Sequence, residues 1–412
     1  MIRSRFSILS KRRLLVFWWT ALWSLSACAQ ELGEGVQVHG FISQSAVHNS
    51  DNKVGGNSDD ELAWDLRELG ANLSWRPNPD WLISGQALAR WAGDSDEGEL
   101  RLDYGFIDRT LIADGDDQIG VRLGKIKNPY GFFNTTRDVA HTRPGIIMPQ
   151  SIYLDRIRNF LLSAPGAAAY GNHASDRMDC SWSLAALRFD ADDADLEQLF
   201  LLEDRPGKLV SDTSWIAQVM SEIDGGRWRI GLTLGDVNMH FEPSAGMALL
   251  FPLPHPLHLD GGRNRLLPYV LSLEHNTEKY SITGEYSQIK HDSRDYGSSA
   301  LANGLQRPNT IEAWYLQATY RPTPDWRVYL RRDEVFLDKD DRKGLLVSPG
   351  FPGFAKFAKD WTLGVRYDVD SWSFSAEYHK VHGTLWLSPL DTPLSSQKER
   401  WDMLLLQAAW RF

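Results

Sequence analysis

From about residue 36 onward, apolar and polar positions alternate with a period of two. Trp228, Ile230, Leu232 and Leu234 alternate with Arg227, Arg229, Gly231, Thr233 and Gly235. Trp361, Leu363, Val365, Tyr367 and Val369 do the same against Thr362, Gly364, Arg366 and Asp368, and Trp372, Phe374, Ala376 and Tyr378 against Ser373, Ser375, Glu377 and His379. Similar runs occupy 81–91, 100–106, 118–124 and 280–287. Side chains of a strand point alternately to its two faces, so each run predicts a ribbon with one oily and one polar side. The connections alternate too. Pro, Gly and Asp turn signals lie at 76–80, 114–117, 191–193, 224–226, 276–278, 321–325 and 370–371. Long polar stretches fall at 48–61, 92–99, 126–179, 204–211, 237–265, 291–309, 337–359 and 384–399. Seven short turns and eight long loops join about sixteen strands and put both ends of the barrel sequence on the short-turn side.

Alternation alone fits a sandwich as well as a barrel. The aromatic positions favour the barrel. Trp81, Trp91, Trp228, Trp361, Trp372 and Trp410 stand near strand ends, where a bilayer places its interfacial girdles. In the last strand Leu404, Leu406, Ala408, Trp410 and Phe412 share one parity, and Gln407, Ala409 and Arg411 share the other. The expected fold is all-β: a transmembrane, antiparallel, up-and-down barrel. Hydrocarbon leaves no solvent for unpaired backbone groups, and a closed barrel pairs them all. A secreted β-rich binding protein is the competing reading of the same alternation.

Composition agrees with many strands: 17 Trp, 13 Tyr, 17 Phe and 33 Gly in 412 residues, with only two cysteines, Cys28 and Cys180. No disulfide framework follows. The N-terminus reads as a signal peptide over 1–29. Arg3, Arg5, Lys11, Arg12 and Arg13 precede the apolar run 14–23, and Ala27-Cys28-Ala29 offers a cleavage site. A lipobox reading, Leu25-Ser26-Ala27-Cys28, would instead make Cys28 an acylated first residue. Without residues 1–29 the chain carries 39 basic and 54 acidic residues, a net of −15, which excludes nucleic acid as a partner. Much of that acid lies in outer loops, for example Asp51, Asp59, Asp60 and Glu61.

The longest loop, 126–179, is the third of the long ones. It carries apolar segments, Ile146-Ile147-Met148-Pro149 and Phe160-Leu161-Leu162, that suit docking against a wall, with Arg137, Arg143, Arg156 and Arg158 among them. The stretch 124–134 (GKIKNPYGFFN), the later Arg143-Pro144-Gly145 and the C-terminal aromatic strand resemble the Gram-negative outer-membrane porin superfamily, which includes oxyanion-selective members. The resemblance implies a water-filled pore for small hydrophilic solutes, narrowed by a third loop folded into the lumen. It also implies an outer-membrane location among lipid and lipopolysaccharide, assembly through the Phe412 strand by the barrel-assembly machinery, and a homotrimer. The candidate constriction residues are Lys125, Lys127, Arg137, Arg143, Arg156 and Arg158. The candidate lumen-wall residues are Arg101, Arg122, Arg227, Arg229, Asp103, Glu285, Arg366 and Glu377. Guanidinium groups match carboxylate, phosphate and sulfate bidentately, so a basic constriction would lean toward anions. The same arginines could instead pair with Asp138 and Asp155 and simply brace the loop.

Barrels can also carry lipase or protease chemistry, and His39 with Ser43 or His379 with His382 are the pairs available for it. His240, His255 and His258 share a Pro-rich loop with Asp260, a possible surface metal site. No GxSxG, HExxH or P-loop pattern occurs. The expectation is therefore a channel that needs no cofactor, with no enzymatic activity.

Overall fold

A computed structural model describes residues 34–201, 207–244, 261–295, 308–346 and 351–412. The leader, Cys28, His255, His258 and Asp260 lie outside the described residues. The strands are β1 (Val36–Asn49), β2 (Ala63–Asn78), β3 (Trp81–Trp91), β4 (Arg101–Asp114), β5 (Asp117–Lys127), β6 (Ser163–Ala174), β7 (Met178–Leu187), β8 (Gly207–Ser211) and β9 (Ser214–Ile223). They continue with β10 (Trp228–Pro243), β11 (Arg263–Asn276), β12 (Tyr280–Arg294), β13 (Asn309–Thr323), β14 (Trp326–Phe336), β15 (Phe357–Val369), β16 (Trp372–Gly383) and β17 (Arg400–Arg411). Strand β8 pairs with the far end of β10 and β9 with its near end, so the two form one stave. The result is a closed antiparallel barrel of sixteen staves, sealed where β1 meets β17 from Phe41↔Arg411 to Asn49↔Met403. Phe412 completes the seam: its N–H donates to the Gly40 carbonyl at 3.0 Å and its carbonyl accepts from the Gly40 N–H at 3.1 Å.

Parity follows the sequence pattern. On β10, Leu232 is 42% exposed while its neighbour Thr233 is 1% exposed. Leu271, Leu316, Leu330, Leu363 and Leu404 extend this exposed apolar band around the outside. An outer surface so rich in large apolar side chains is unsuited to water and suited to lipid. Aromatic rings pair across neighbouring staves at the short-turn end, Tyr280 with Tyr320 at 5.0 Å, Trp326 with Tyr367 at 4.8 Å and Trp372 with Trp410 at 6.2 Å between centroids. Amphipathic rings there mark the interfacial level.

The strand count agrees with expectation, but one pair of staves is displaced. Residues 163–174, assigned from the sequence to the third loop, form β6, and the short turn falls at 175–177 rather than 191–193. The third loop therefore covers 128–162. Residues 194–201, read as the start of a strand, form the helix α2 (Ala194–Leu201) inside a longer external connection; a one-turn helix α1 (Arg158–Leu162) precedes it at the end of the third loop. Segment 163–174 (SAPGAAAYGNHA) is nearly all small residues and offers no oily parity. The stretch 194–201 (ADLEQLFL) instead has Asp195 and Glu197 in its first turn, as helices favour.

The lumen is also drier than a polar inner parity implies. At the long-loop end the inward residues are themselves apolar: Val237, Met239, Phe241, Val335, Val381 and Met403 are buried. They pack with Ile146, Met148, Ile152 and Phe160 of the third loop, with Leu196 and Phe200 of α2, and with Leu385, Trp386 and Leu387 of the last loop in one apolar cluster. Polar inner residues with partial exposure, such as Arg122 and Arg229, belong to the short-turn half.

Candidate functional site

The third loop crosses the barrel and is fastened to wall carboxylates on several staves. Glu285 of β12 accepts the Phe132 N–H at 2.8 Å and the Tyr153 hydroxyl at 2.6 Å, along with Ser272 Oγ at 2.6 Å and Tyr315 Oη at 2.9 Å. Glu377 of β16 accepts the N–H groups of Ile146 and Ile147 at 2.9 and 3.1 Å, and the Tyr329 hydroxyl at 2.5 Å. Asp333 of β14 accepts the Ser151 N–H at 3.0 Å. Arg366 of β15 donates to the His141 carbonyl at 3.0 Å. Carboxylates suit this task because loop N–H groups buried in the lumen need acceptors and charge-assisted bonds are the stronger kind. Close approach explains the local glycines. Gly131 has φ +59° beside Tyr153 and Glu285, and any Cβ on Gly145 would run into Glu377.

On the β2–β3 side the loop meets the wall through arginines. Glu68 of β2 receives Arg158 at 2.9 Å, Arg143 more closely, and lies 3.5 Å from Arg90. Arg137 donates to Asp155 Oδ1 at 3.0 Å and to the Tyr153 carbonyl at 3.1 Å, and Asp155 also pairs with Arg90. Burial alone would raise the Asp155 carboxyl, but Arg90, Arg137 and Arg158 outweigh it and hold it well below the ordinary carboxylate range. Burial pulls Arg137 down to about 9, with Arg158, Arg90 and Arg143 acting in the same direction and Asp155 opposing them. A cavity of about 80 Å³ opens here, and six cationic side chains line it against three carboxylates, those of Glu68, Asp155 and Asp391. Arg137 Nε and Nη1 and Arg158 Nε and Nη2 are buried with no hydrogen-bond acceptor. Buried guanidinium N–H groups without partners are costly, and an anion is the group that would satisfy them.

The remaining sequence-named residues divide clearly. Arg156 is buried and reaches the Leu385 carbonyl at 3.0 Å and Asp195 at 3.1 Å, so it joins the third loop to the last loop and α2. Lys127 pairs with Asp138 at 2.5 Å, while Lys125 donates to the Leu102 carbonyl at 2.8 Å. Arg122 pairs with Asp108 at 2.8 Å, and Arg229 lies between Glu222 and Glu274 at 3.1 and 3.3 Å. Arg101 pairs with Asp96, and Asp103 receives Gln86. Arg227 does not line the wall: it lies exposed in the turn before β10, beyond the last inward position. Glu68, Arg90 and Arg331 were not singled out from the sequence. Arg331 is 1% exposed and donates to the Ile147 carbonyl at 3.1 Å. Inward parity on β2 would have exposed Glu68, between outward Leu69 and Arg67; β3 gives no such signal, because Ala87, Leu88 and Ala89 are apolar on both faces.

The paired candidates for hydrolysis separate. His39 and Ser43 share a face but stand four residues apart on β1, roughly 13 Å at strand rise. His379 is buried facing inward between Asp360 (2.6 Å) and Glu377 (3.1 Å), whereas His382 is on the opposite parity and pairs with Glu399 at 2.8 Å. His240 lies between Asp212 and Glu242, both at 3.2 Å.

No family model and no curated protein matches the sequence. Solved structures match in shape. The outer membrane channel DcaP of Acinetobacter baumannii aligns over 93% of this chain and 100% of its own, with TM-score 0.57 and 12% identity. An anion-selective porin from Comamonas acidovorans aligns over 92% and 99%, with TM-score 0.51 and 12% identity. OmpF of Salmonella typhi, solved with daunomycin, aligns over 92% and 97%, with TM-score 0.51 and 11% identity. At such identities the likeness concerns the path of the chain, and that path, a closed barrel of sixteen antiparallel staves, is the outer-membrane porin fold.

Proposed function

We propose that the protein is an outer-membrane channel for small hydrophilic solutes, constricted by the loop 128–162 and leaning toward anions. The observation that carries this reading is the guanidinium excess beside that loop: Arg137 and Arg158 line a cavity inside a closed barrel, and four of their nitrogens are buried without an acceptor. The apolar outer band supports placement in a bilayer, and the shape match to a described channel and to an anion-selective porin supports conduction. The residues' roles differ in degree: Arg143 donates to loop carbonyls and Glu68, and Arg156, apart from its Nε, to the Leu385 carbonyl and Asp195, so they hold the constriction in shape, while Arg137 and Arg158 each retain two unpartnered nitrogens for a passing anion. Trimer formation, export by a cleaved leader and assembly through the Phe412 strand belong to the same reading.

Planar-bilayer recordings across a salt gradient test it. The wild-type reversal potential should favour anions, and Arg137→Gln with Arg158→Gln should move it toward cations. Absence of stepwise conductance sinks the channel; an unchanged reversal potential in the double variant reduces these arginines to braces.

A further inference from the structure

On the other side of the third loop, away from the arginines, a second cavity of about 90 Å³ lies between the loop and the wall formed by β9 to β14. Its lining is aromatic and aliphatic, including Phe160, Phe189, Phe200, Leu266 and Val335, and no charged side chain lines it. Five isoleucines contribute to it: Ile152, Ile157, Ile216, Ile289 and Ile311. The polar side chains lining it are those of Asn128, Ser151 and Tyr130. Asn128 is 1% exposed. Its amide orientation is fixed, because Nδ2 donates to the carbonyls of Leu161 at 2.7 Å and Phe160 at 3.5 Å, and Oδ1 is left buried without a donor. Ser151 Oγ, on the same lining, is likewise buried without a partner. Buried polar atoms normally have partners, and an apolar cavity with one orphaned carbonyl oxygen and one orphaned hydroxyl has the composition of a small-molecule site.

We propose that this cavity binds a small, neutral, apolar molecule carrying one hydroxyl, which donates to Asn128 Oδ1. Charged solutes are excluded, since no group there would offset the loss of their hydration. Size narrows the class. The cavity is smaller than the roughly 150 Å³ apolar cavity that holds benzene in another protein, which favours short branched alcohols over ring compounds. The site is independent of ion selectivity, because the loop separates it from the guanidinium cavity: residues 147, 148, 150, 155, 156 and 158 line one, and 151, 152, 154 and 157 the other.

The test is a titration of the full-length, detergent-solubilised protein, labelled at isoleucine methyls, with 2-propanol and, in parallel, with methoxyethane, its isomer without a hydroxyl donor. The five cavity isoleucines should show saturable shifts with the alcohol, and lipid-facing Ile107, Ile230 and Ile282 should not. One neutral hydrogen bond predicts about fivefold tighter binding of the alcohol than of the ether. Asn128→Ala should remove that preference, and Val335→Phe should remove saturable binding of both. If either variant fails to assemble, the two wild-type titrations still decide. Shifts confined to the lipid-facing set, or equal affinity for alcohol and ether in the wild type, overturn the proposal. Conductance plays no part in this readout, so its failure would be distinct from failure of the channel reading.

Discussion

Glu285→Ala removes the acceptor for four donors at once, and two of those, the Phe132 N–H and the Tyr153 hydroxyl, belong to the third loop. A hydrogen bond to a charged group contributes about 1.5–3 kcal/mol, so detaching both removes about 3–6 kcal/mol from the loop's hold on β12. Both donors are buried, Tyr153 at 0% and Phe132 at 6% exposure, so lumen water does not replace the lost acceptor in the closed loop. Tyr153 also accepts the Phe133 N–H at 3.0 Å, so the loosening should spread through 130–134. Glu377 and Asp333 still hold Ile146, Ile147 and Ser151, and the loop should fluctuate without leaving the lumen. Glu285→Gln is the control. Its amide oxygen can take Phe132 and Ser272, and its NH2 can donate to the two tyrosine oxygens, which replaces charge-assisted bonds by neutral ones of about 1 kcal/mol each. Single-channel recordings should therefore show open-channel noise and mean conductance rising in the order wild type, Gln, Ala. Heat-modifiable gel mobility should stay unchanged, since the Ser272↔Glu285 ladder pairing is made by backbone. Noise and conductance equal to wild type in the Ala variant would refute the view that this carboxylate anchors the loop.

Glu68→Gln withdraws the anion shared by Arg143, Arg158 and Arg90, so the reversal potential should move further toward anions, with a stability loss of about 3–5 kcal/mol read by denaturant titration. The Asp391 carboxyl, in the last loop, is pushed up to about 7 by burial and by Asp94, Asp195 and Asp65. The folded loop thus prefers the neutral acid, and its packing should be fullest below about pH 4 and be lost as pH rises through about 7. Protease nicking within 384–399 should accordingly increase between pH 5 and pH 8 in the wild type and stay flat in Asp391→Asn. Deleting Phe412 removes both hydrogen bonds to Gly40 and the ring contact with Trp410 at 5.0 Å, and should slow refolding into detergent as followed by gel shift.

Most of the barrel was legible because one physical rule, oily outside and polar inside, writes itself on strands with period two. The rule is silent where a stave has no oily parity. Segment 163–174 is such a case, and its absence from the expected strands was offset by reading 194–201 as a strand. The arginines of the third loop were visible as residue types, but their division into braces and free donors was not. That division depends on which carbonyl or carboxylate each guanidinium meets, at sequence separations from 5 to 229 residues.

The drier half of the lumen has a trace in the sequence after all. On β10 the apolar positions run Trp228, Ile230, Leu232, Leu234 and then Val237, Met239, Phe241, so the alternation slips by one residue at Gly235-Asp236. The strand does not turn over there. Outward Leu234 is half exposed, and inward Val237 and Phe241 are 4% and 1% exposed. The backbone keeps its faces while the surroundings exchange: outside, hydrocarbon gives way to water, and inside, water gives way to a loop. Strand β16 repeats the slip between outward Tyr378 and inward Val381, and β14 between outward Leu330 and inward Val335. A break in alternation that leaves the β-ladder intact therefore marks the upper edge of the apolar band and, at the same height, the level at which the lumen is filled. Read from the alternation alone, residues 237–243 look like the start of a loop; read as a slip, Val237, Met239 and Phe241 are the inner wall of the apolar cluster that holds the third loop.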